Sequence, residues 1–146
     1  MILFLTSSPS GPLDKPNYDR KLDNQNFFLF NLKKYWKMNM KGLIICAFPD
    51  SYESNDEMKH FFYDAFKNSG IPFTTLDLCD YRTKDINIHL YDFIMLAGGH
   101  VPTENEYFKE IISSFAKWGP LSSFILLSMR TSELEVGPSF NYCVHI

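Results

Sequence analysis

The run from Gly42 to Phe48 (GLIICAF) is apolar throughout, and so is Asp92 to Ala97 (DFIMLA) after its first residue. A strand with one wetted face alternates apolar and polar residues. An unbroken run fits a strand covered on both faces, the habit of parallel sheets. Around these two runs the period becomes helical. Within residues 23–38, Phe28, Leu32, Tyr35 and Trp36 recur at i, i+4, i+7 and i+8. Lys33, Lys34 and Lys37 fall on other faces or in the last turn, where cations suit the helix dipole. Met58, Phe61, Phe62, Ala65 and Phe66 make a second stripe behind Ser54-Asn-Asp-Glu57, a capping-box pattern. Gly70 stands where a C′ glycine belongs, and Pro72 blocks continuation. Thr103-Glu-Asn-Glu106 repeats the capping pattern ahead of Tyr107, Ile111, Ile112 and Phe115.

Three shorter runs complete the order: Ile2 to Thr6, Phe73 to Leu78, and Ser123 to Leu127. Strands alternating with helices, the central ones wholly apolar, predict an α/β three-layer sandwich around a mostly parallel sheet. Its crossovers should be right-handed. No internal repeat or flexible linker divides residues 1–146, so one domain is expected. At 146 residues the chain can bury an adequate core without a staple.

Charge and cysteine usage narrow the function classes. The net charge is −3 and no block of Lys or Arg is present, so nucleic acid is not expected as a partner. No apolar run reaches the roughly 18 residues of a membrane span, so no membrane partner is expected either. The opening Met1-Ile-Leu-Phe-Leu5 is too short for a signal core and lacks a basic segment before it. Cys46, Cys79 and Cys143 form no CxxC pair and read as reduced thiols of a cytoplasmic protein. His60, His89 and His145 have no ligand-like spacing, which predicts no metal site. No dinucleotide or Walker-type glycine pattern occurs, and no cofactor is expected.

In open parallel sheets ligands bind beyond the carboxyl ends of the strands. Those positions hold Thr6, Ser7 and Ser8, then Pro49 and Asp50, then Asp80, then Gly98, Gly99 and His100, and finally Ser128. Short βα loops are commonly built of such residues, so their polarity alone does not separate a site from ordinary turns. Gly98-Gly99 says more. Paired glycines after a buried strand allow close approach or positive φ and expose N–H groups to an anion; a tight turn is the plainer reading. His100 beside them is an acid/base, a polar cap or a packing residue. Tyr52, Glu53 and Asp56 read as a solvated helix start matched to its dipole. Cys46 and Cys79 read as inert core thiols.

The strings FLTSSPSGP, FPDSYESNDEM, DLCDYR and above all LAGGHVPTENEYF resemble the dipeptidase E (aspartyl dipeptidase) family of serine peptidases, in particular its bacterial branch of uncharacterised peptidase-like proteins. The similarity covers residues 1–112; residues 113–146 diverge. It implies a flavodoxin-like sandwich of the class I glutamine-amidotransferase-like superfamily. It also implies peptide hydrolysis through an acyl-enzyme, with the glycines matching Gly98 and Gly99 in the oxyanion region. His100, Thr6, Ser7 and Ser8 would then line the substrate site, with a small peptide as substrate. A nucleophilic serine on a G-x-S-A-G elbow and a later histidine would complete the relay.

Ser128 stands 28 residues beyond His100, where the resemblance places the nucleophile. Its surroundings depart from the pattern. Leu126-Leu127-Ser128-Met129-Arg130 has no elbow glycine, and bulky residues replace small ones. His145 follows only 17 residues later, in a tail without family resemblance. The expectation is therefore a serine-type peptidase by family, but a truncated or inactive member whose sheet is cut after about five strands. A degenerate member kept for binding and an active one with an unusual arrangement are the competing readings. The alternative from another class is a non-catalytic domain binding a small anion or ligand. A homo-oligomer is compatible with either.

Overall fold

The computed structural model describes residues 2–6, 20–46, 51–83, 86–97, 124–128 and 141–145. These form strands β1 (Ile2–Thr6), β2 (Lys41–Cys46), β3 (Thr75–Cys79), β4 (Phe93–Ala97), β5 (Phe124–Ser128) and β6 (Asn141–His145), with helices α1 (Phe28–Tyr35) and α2 (Tyr52–Asn68). The strands make one sheet in the order β3-β2-β4-β5-β1-β6. Its first five members are parallel, and β6 runs antiparallel to β1 at the edge. An α/β fold with a mostly parallel sheet is thus present. The sixth strand was not anticipated: five residues behind Gly137-Pro138 give too short a run to stand out, and a strand at an edge needs no unbroken apolar pattern. The helix expected from Thr103 lies outside the described residues.

Side-chain alternation sorts the core into two layers. Ile44 and Cys46 of β2 and Phe93, Met95 and Ala97 of β4 join Phe28 and Leu32 of α1 and Phe61, Phe62, Ala65 and Phe66 of α2. Leu43, Ile45 and Ile94 face the other way, with Cys79 and Ile88. Both faces of β2 and β4 are therefore covered, as their unbroken apolar runs require. The centre of the larger layer is aromatic. Trp36 lies 4.8 Å from Phe73 and 5.6 Å from Phe93, and Phe66 lies 4.7 Å from Phe73, between ring centroids. Gly42 makes room for it: a Cβ there would come within 2.7 Å of the Phe73 ring and 2.8 Å of Leu76.

Two helix starts differ from the sequence expectation. Residues 23–38 do not form one helix. A 3-10 turn over Gln25–Phe27 precedes α1, and Asn26 and Phe27 both take positive φ, 52° and 59°. Asn24 specifies that turn, its backbone oxygen accepting from Phe27 N at 3.1 Å and its side chain from Phe30 N at 3.0 Å. Periodicity records only the buried stripe, which survives; it is blind to a local side-chain cap that competes with the helix. The second helix starts one turn earlier than its capping-box pattern suggests. Ser51 is the N-cap, and its hydroxyl accepts from Ser54 N at 3.1 Å. Its end matches expectation: Gly70 at φ 77° donates to Lys67 O and Ile71 donates to Phe66 O, the paired bonds of a Schellman stop.

Candidate functional site

Strand register aligns the carboxyl edge. Cys46 of β2 is paired with Ala97 of β4, Ala97 with Ser128 of β5, and Ser128 with Thr6 of β1. Two of the residues singled out from sequence, Thr6 and Ser128, are thus direct neighbours on adjacent strands. Gly98 is the next residue along the chain from Ala97, and Ser7 the next from Thr6. Ser7, Ser8, Gly98, Gly99 and His100 themselves lie outside the described residues. Thr6 is 1% exposed, a buried hydroxyl at the last position of its strand.

The connections leaving β2 and β4 part at this edge. From β2 the chain moves outward to β3; from β4 it moves the opposite way to β5. Such a switch point, here between Cys46 and Ala97, is where open α/β sheets bind ligands. Ser128 is one strand away from it.

His145 does not join the group. It is paired with Ile2, at the amino end of β1, whereas Thr6 is paired with Asn141. Four residues of strand, about 13 Å at roughly 3.3 Å each, separate those levels. Hydrogen-bond reach is about 3 Å, so His145 cannot serve Ser128 as a base from that position.

The described residues hold one dense polar cluster, and it stands at the far end of the same edge. Asp80 directly follows β3 and is 1% exposed. Its carboxylate accepts from Asn55 Nδ2 at 3.0 Å, from the Arg82 backbone N at 2.9 Å, and from the Arg82 guanidinium at 2.7 to 3.1 Å. Arg82 also donates to both oxygens of Asp56, at 3.0 and 2.7 Å, and lies 4.8 Å from the Tyr52 ring centroid. Burial alone would push the Asp80 carboxyl up, but the Arg82 and Asn55 donors outweigh it and hold the group below its ordinary range. The Arg82 hydrogen bonds do the same for Asp56, and the two carboxylates raise Arg82 in turn. Asp56 is therefore not merely a solvated residue at a helix start: it is half of a clamp. Sequence reasoning marked Asp80 and Asp56 but not Arg82 or Asn55. The usable signal was Asp80 and Arg82 two apart in a turn, where a carboxylate readily meets a neighbouring N–H.

The clamp borders an open depression lined by Asp56 and Lys59 of α2 on one side and Ile86 and Tyr91 on the other. Arg82, Asp56, Asp80 and Asp77 are engaged with one another or with Tyr91. Arg82 is spent on two carboxylates, and Tyr91 donates to Asp77 at 3.0 Å. Burial first, then Asp77, pushes the Tyr91 phenol up to about 12. Three strand spacings of about 4.8 Å separate Asp80 from Ser128, too far for Asp80 to act on it. The cluster ties the β3–β4 connection to α2 and supplies no chemistry to the serine.

Among the described residues no three His, Cys, Asp or Glu side chains stand together as a metal site would require. Cys46 and Cys79 are buried on opposite faces of the sheet and are not joined in a disulfide. No helix of the described residues is long and apolar enough to cross a membrane. The chain matches no family model, and neither curated proteins nor solved structures give a significant match.

Proposed function

We propose that this domain is a cytoplasmic serine-hydrolase-type protein of the dipeptidase E kind, flavodoxin-like in fold. In this reading it holds a small peptide at the carboxyl edge of β4, β5 and β1. Ser128 is its candidate nucleophile, Gly98 and Gly99 supply oxyanion N–H groups, and His100, Thr6, Ser7 and Ser8 line the remaining wall. One observation carries the reading: Ser128 ends a strand flanked by Ala97, which leads into Gly98-Gly99, and by Thr6, which leads into Ser7-Ser8. A serine at the end of a strand whose two neighbouring strands lead in sequence into such residues is the arrangement acyl transfer calls for.

The same domain turns its substrate over slowly or not at all. Among the described residues the strand register sets no histidine beside Ser128; a serine without a base is a weak nucleophile, and what remains is the contribution of oxyanion donors and binding, about 10³–10⁴-fold over water in serine proteases. A fluorophosphonate probe tests this directly. Slow labelling that disappears in Ser128→Ala is expected; a wild-type chain that takes no label overturns the hydrolase reading.

The placement of His145 favours a second reading, a non-catalytic domain that binds a small anion or ligand at the same edge. Thermal-shift measurements with small carboxylates and phosphates separate the two. Stabilisation without labelling assigns binding alone.

A further inference from the structure

Cationic residues are concentrated in one stretch of an acidic chain. The sequence has 14 Lys and Arg against 17 Asp and Glu, yet from Arg20 to Lys41 six residues are cationic and only Asp23 is anionic. Arg20 is buried over the Phe61 ring, so the surface charge of the stretch is carried by its lysines.

The fold gathers lysines of separate segments at the C-terminal end of α2. Leu22 N donates to Ser69 Oγ at 2.8 Å, and Asn68 Nδ2 donates to Arg20 O at 3.0 Å, which carries the backbone of the exposed Lys21 past that end. Lys33 of α1 brings its Nζ to 3.8 Å from the position that a Cβ on Gly70 would take. Lys67 stands in the last turn of α2, and its carbonyl accepts from Gly70 N. Among the described residues no carboxylate is paired with Lys21, Lys33, Lys34 or Lys67. Asp23 and Asp64 are the acids near them in sequence, and the four lysines outnumber them.

Cations at the end of a helix complement its dipole, which accounts for Lys33 and Lys67. It does not account for the outward face of α1. Phe28 and Leu32 are the buried residues of that helix, and Phe30, Lys33 and Lys34, at i, i+3 and i+4, share the opposite face. The helical angle of Phe30 falls between those of the two lysines, and its ring is 65% exposed. A ring set among lysines on a helix lying flat against its core is how interfacial segments meet anionic lipid. The ring enters the headgroup boundary, and the ammonium groups reach phosphates on their flexible stems. Such attachment depends on charge and protruding rings, so the shortness of the apolar runs, which speaks against a span, does not bear on it.

We propose that the outward face of α1, with the adjoining C-terminal end of α2, attaches this domain to an anionic bilayer surface. Lys21, Lys33, Lys34 and Lys67 meet headgroup phosphates, and Phe30 enters the boundary. Lysines drawn from three segments suit a surface that offers negative charge everywhere, whereas a short acidic peptide would have to match each position. Because α2 leads from the carboxyl end of β2 to the amino end of the parallel strand β3, its C-terminal end lies at the amino edge of the sheet. Attachment there turns the carboxyl edge, with Ser128, away from the lipid.

Co-sedimentation of the full chain with lipid vesicles tests the proposal. The chain should pellet with vesicles of equal parts phosphatidylcholine and phosphatidylglycerol, stay in solution with phosphatidylcholine alone, and be released as salt rises. Lys34→Glu should lower the partition coefficient about tenfold or more, and Phe30→Ser about fivefold, each with the unfolding temperature of wild type. Lys59→Glu makes the same change of net charge about two turns before Lys67 on α2, and should lower partitioning less than about threefold. A wild type that stays in solution with the anionic vesicles overturns the proposal. So does one that pellets equally with both kinds, or one that Lys34→Glu and Lys59→Glu affect alike. A chain that ignores the vesicles but binds poly-glutamate, and loses that binding in Lys34→Glu, serves an acidic polypeptide at this face instead.

Discussion

His145 is paired with Ile2, at the opposite end of β1 from the Thr6 that stands beside Ser128. The resemblance calls for a histidine beyond the serine, and His145 is the one histidine of the sequence that follows Ser128. The register removes it by about 13 Å. His145→Ala should therefore leave the rate of fluorophosphonate labelling at Ser128 within about twofold of wild type, far from the loss on the order of 10⁶-fold that follows removal of a relay histidine. A collapse of labelling in His145→Ala, with the protein still folded, would refute this placement.

Acid should weaken the chain through the clamp on Arg82. Asp80 and Asp56 both have carboxyls held below their ordinary value of 3.8. A depressed folded pKa contributes stability that is complete above the unfolded value and is lost as pH falls through the folded one. Thermal unfolding should thus be flat with respect to these groups above about pH 5 and fall away below about pH 4. Asp56→Asn should unfold at lower temperature than wild type at pH 7, with the two converging as the pH drops under 3.8. Parallel curves across that range would mean that Asp56 gains nothing from Arg82 in the folded chain.

Much of the fold was legible because burial leaves periodic marks. GLIICAF and FIMLA are unbroken because β2 and β4 are covered on both faces, and Phe61, Phe62, Ala65 and Phe66 mark the buried face of α2. What escaped was local or lateral. The kink at Asn26-Phe27 is set by one asparagine cap, which period cannot register, and Ser51 rather than Ser54 caps α2 through a hydroxyl bond. The candidate site was half legible. Carboxyl-end positions could be picked out along the chain, but the pairing of Ser128 with Thr6 is a matter of strand order, since residues so distant in sequence meet only through the sheet. The same order placed His145 at the wrong end.

Gly42 should resist substitution by even one methyl group. It is paired with Leu76 on one side and Phe93 on the other, and an added Cβ meets Phe73 at 2.7 Å. Overpacking of this kind costs about 1–3 kcal/mol. Because the obstructing atoms belong to side chains, the penalty should be relieved by shrinking one of them. Gly42→Ala should lower the unfolding temperature by several degrees, and adding Phe73→Leu should cost less in that background than in wild type. Strict additivity in a double-mutant cycle would show that the two positions do not share the space.

Asn55 offers the sharpest test of the clamp, because its environment admits an amide and rejects a carboxylate. The side chain is fully buried in the first turns of α2, and its Nδ2 donates to Asp80 Oδ2 at 3.0 Å. Asn55→Ala removes that donor but leaves the Arg82 bonds to Asp80 in place, so the expected loss is about 1–3 kcal/mol. Asn55→Asp is nearly the same shape, yet it sets a second carboxylate against the first in a buried site, where like charges cannot both ionise without cost. At pH 7 it should be the less stable of the two variants. As the pH falls, protonation of one carboxyl restores an O–H donor between them, so Asn55→Asp should recover stability relative to Asn55→Ala while wild type is losing it. Chemical denaturation of the three proteins at pH 7 and at pH 4 reads this out. An Asn55→Asp variant that tracks Asn55→Ala at both pH values would show that Asp80 takes its support from Arg82 alone.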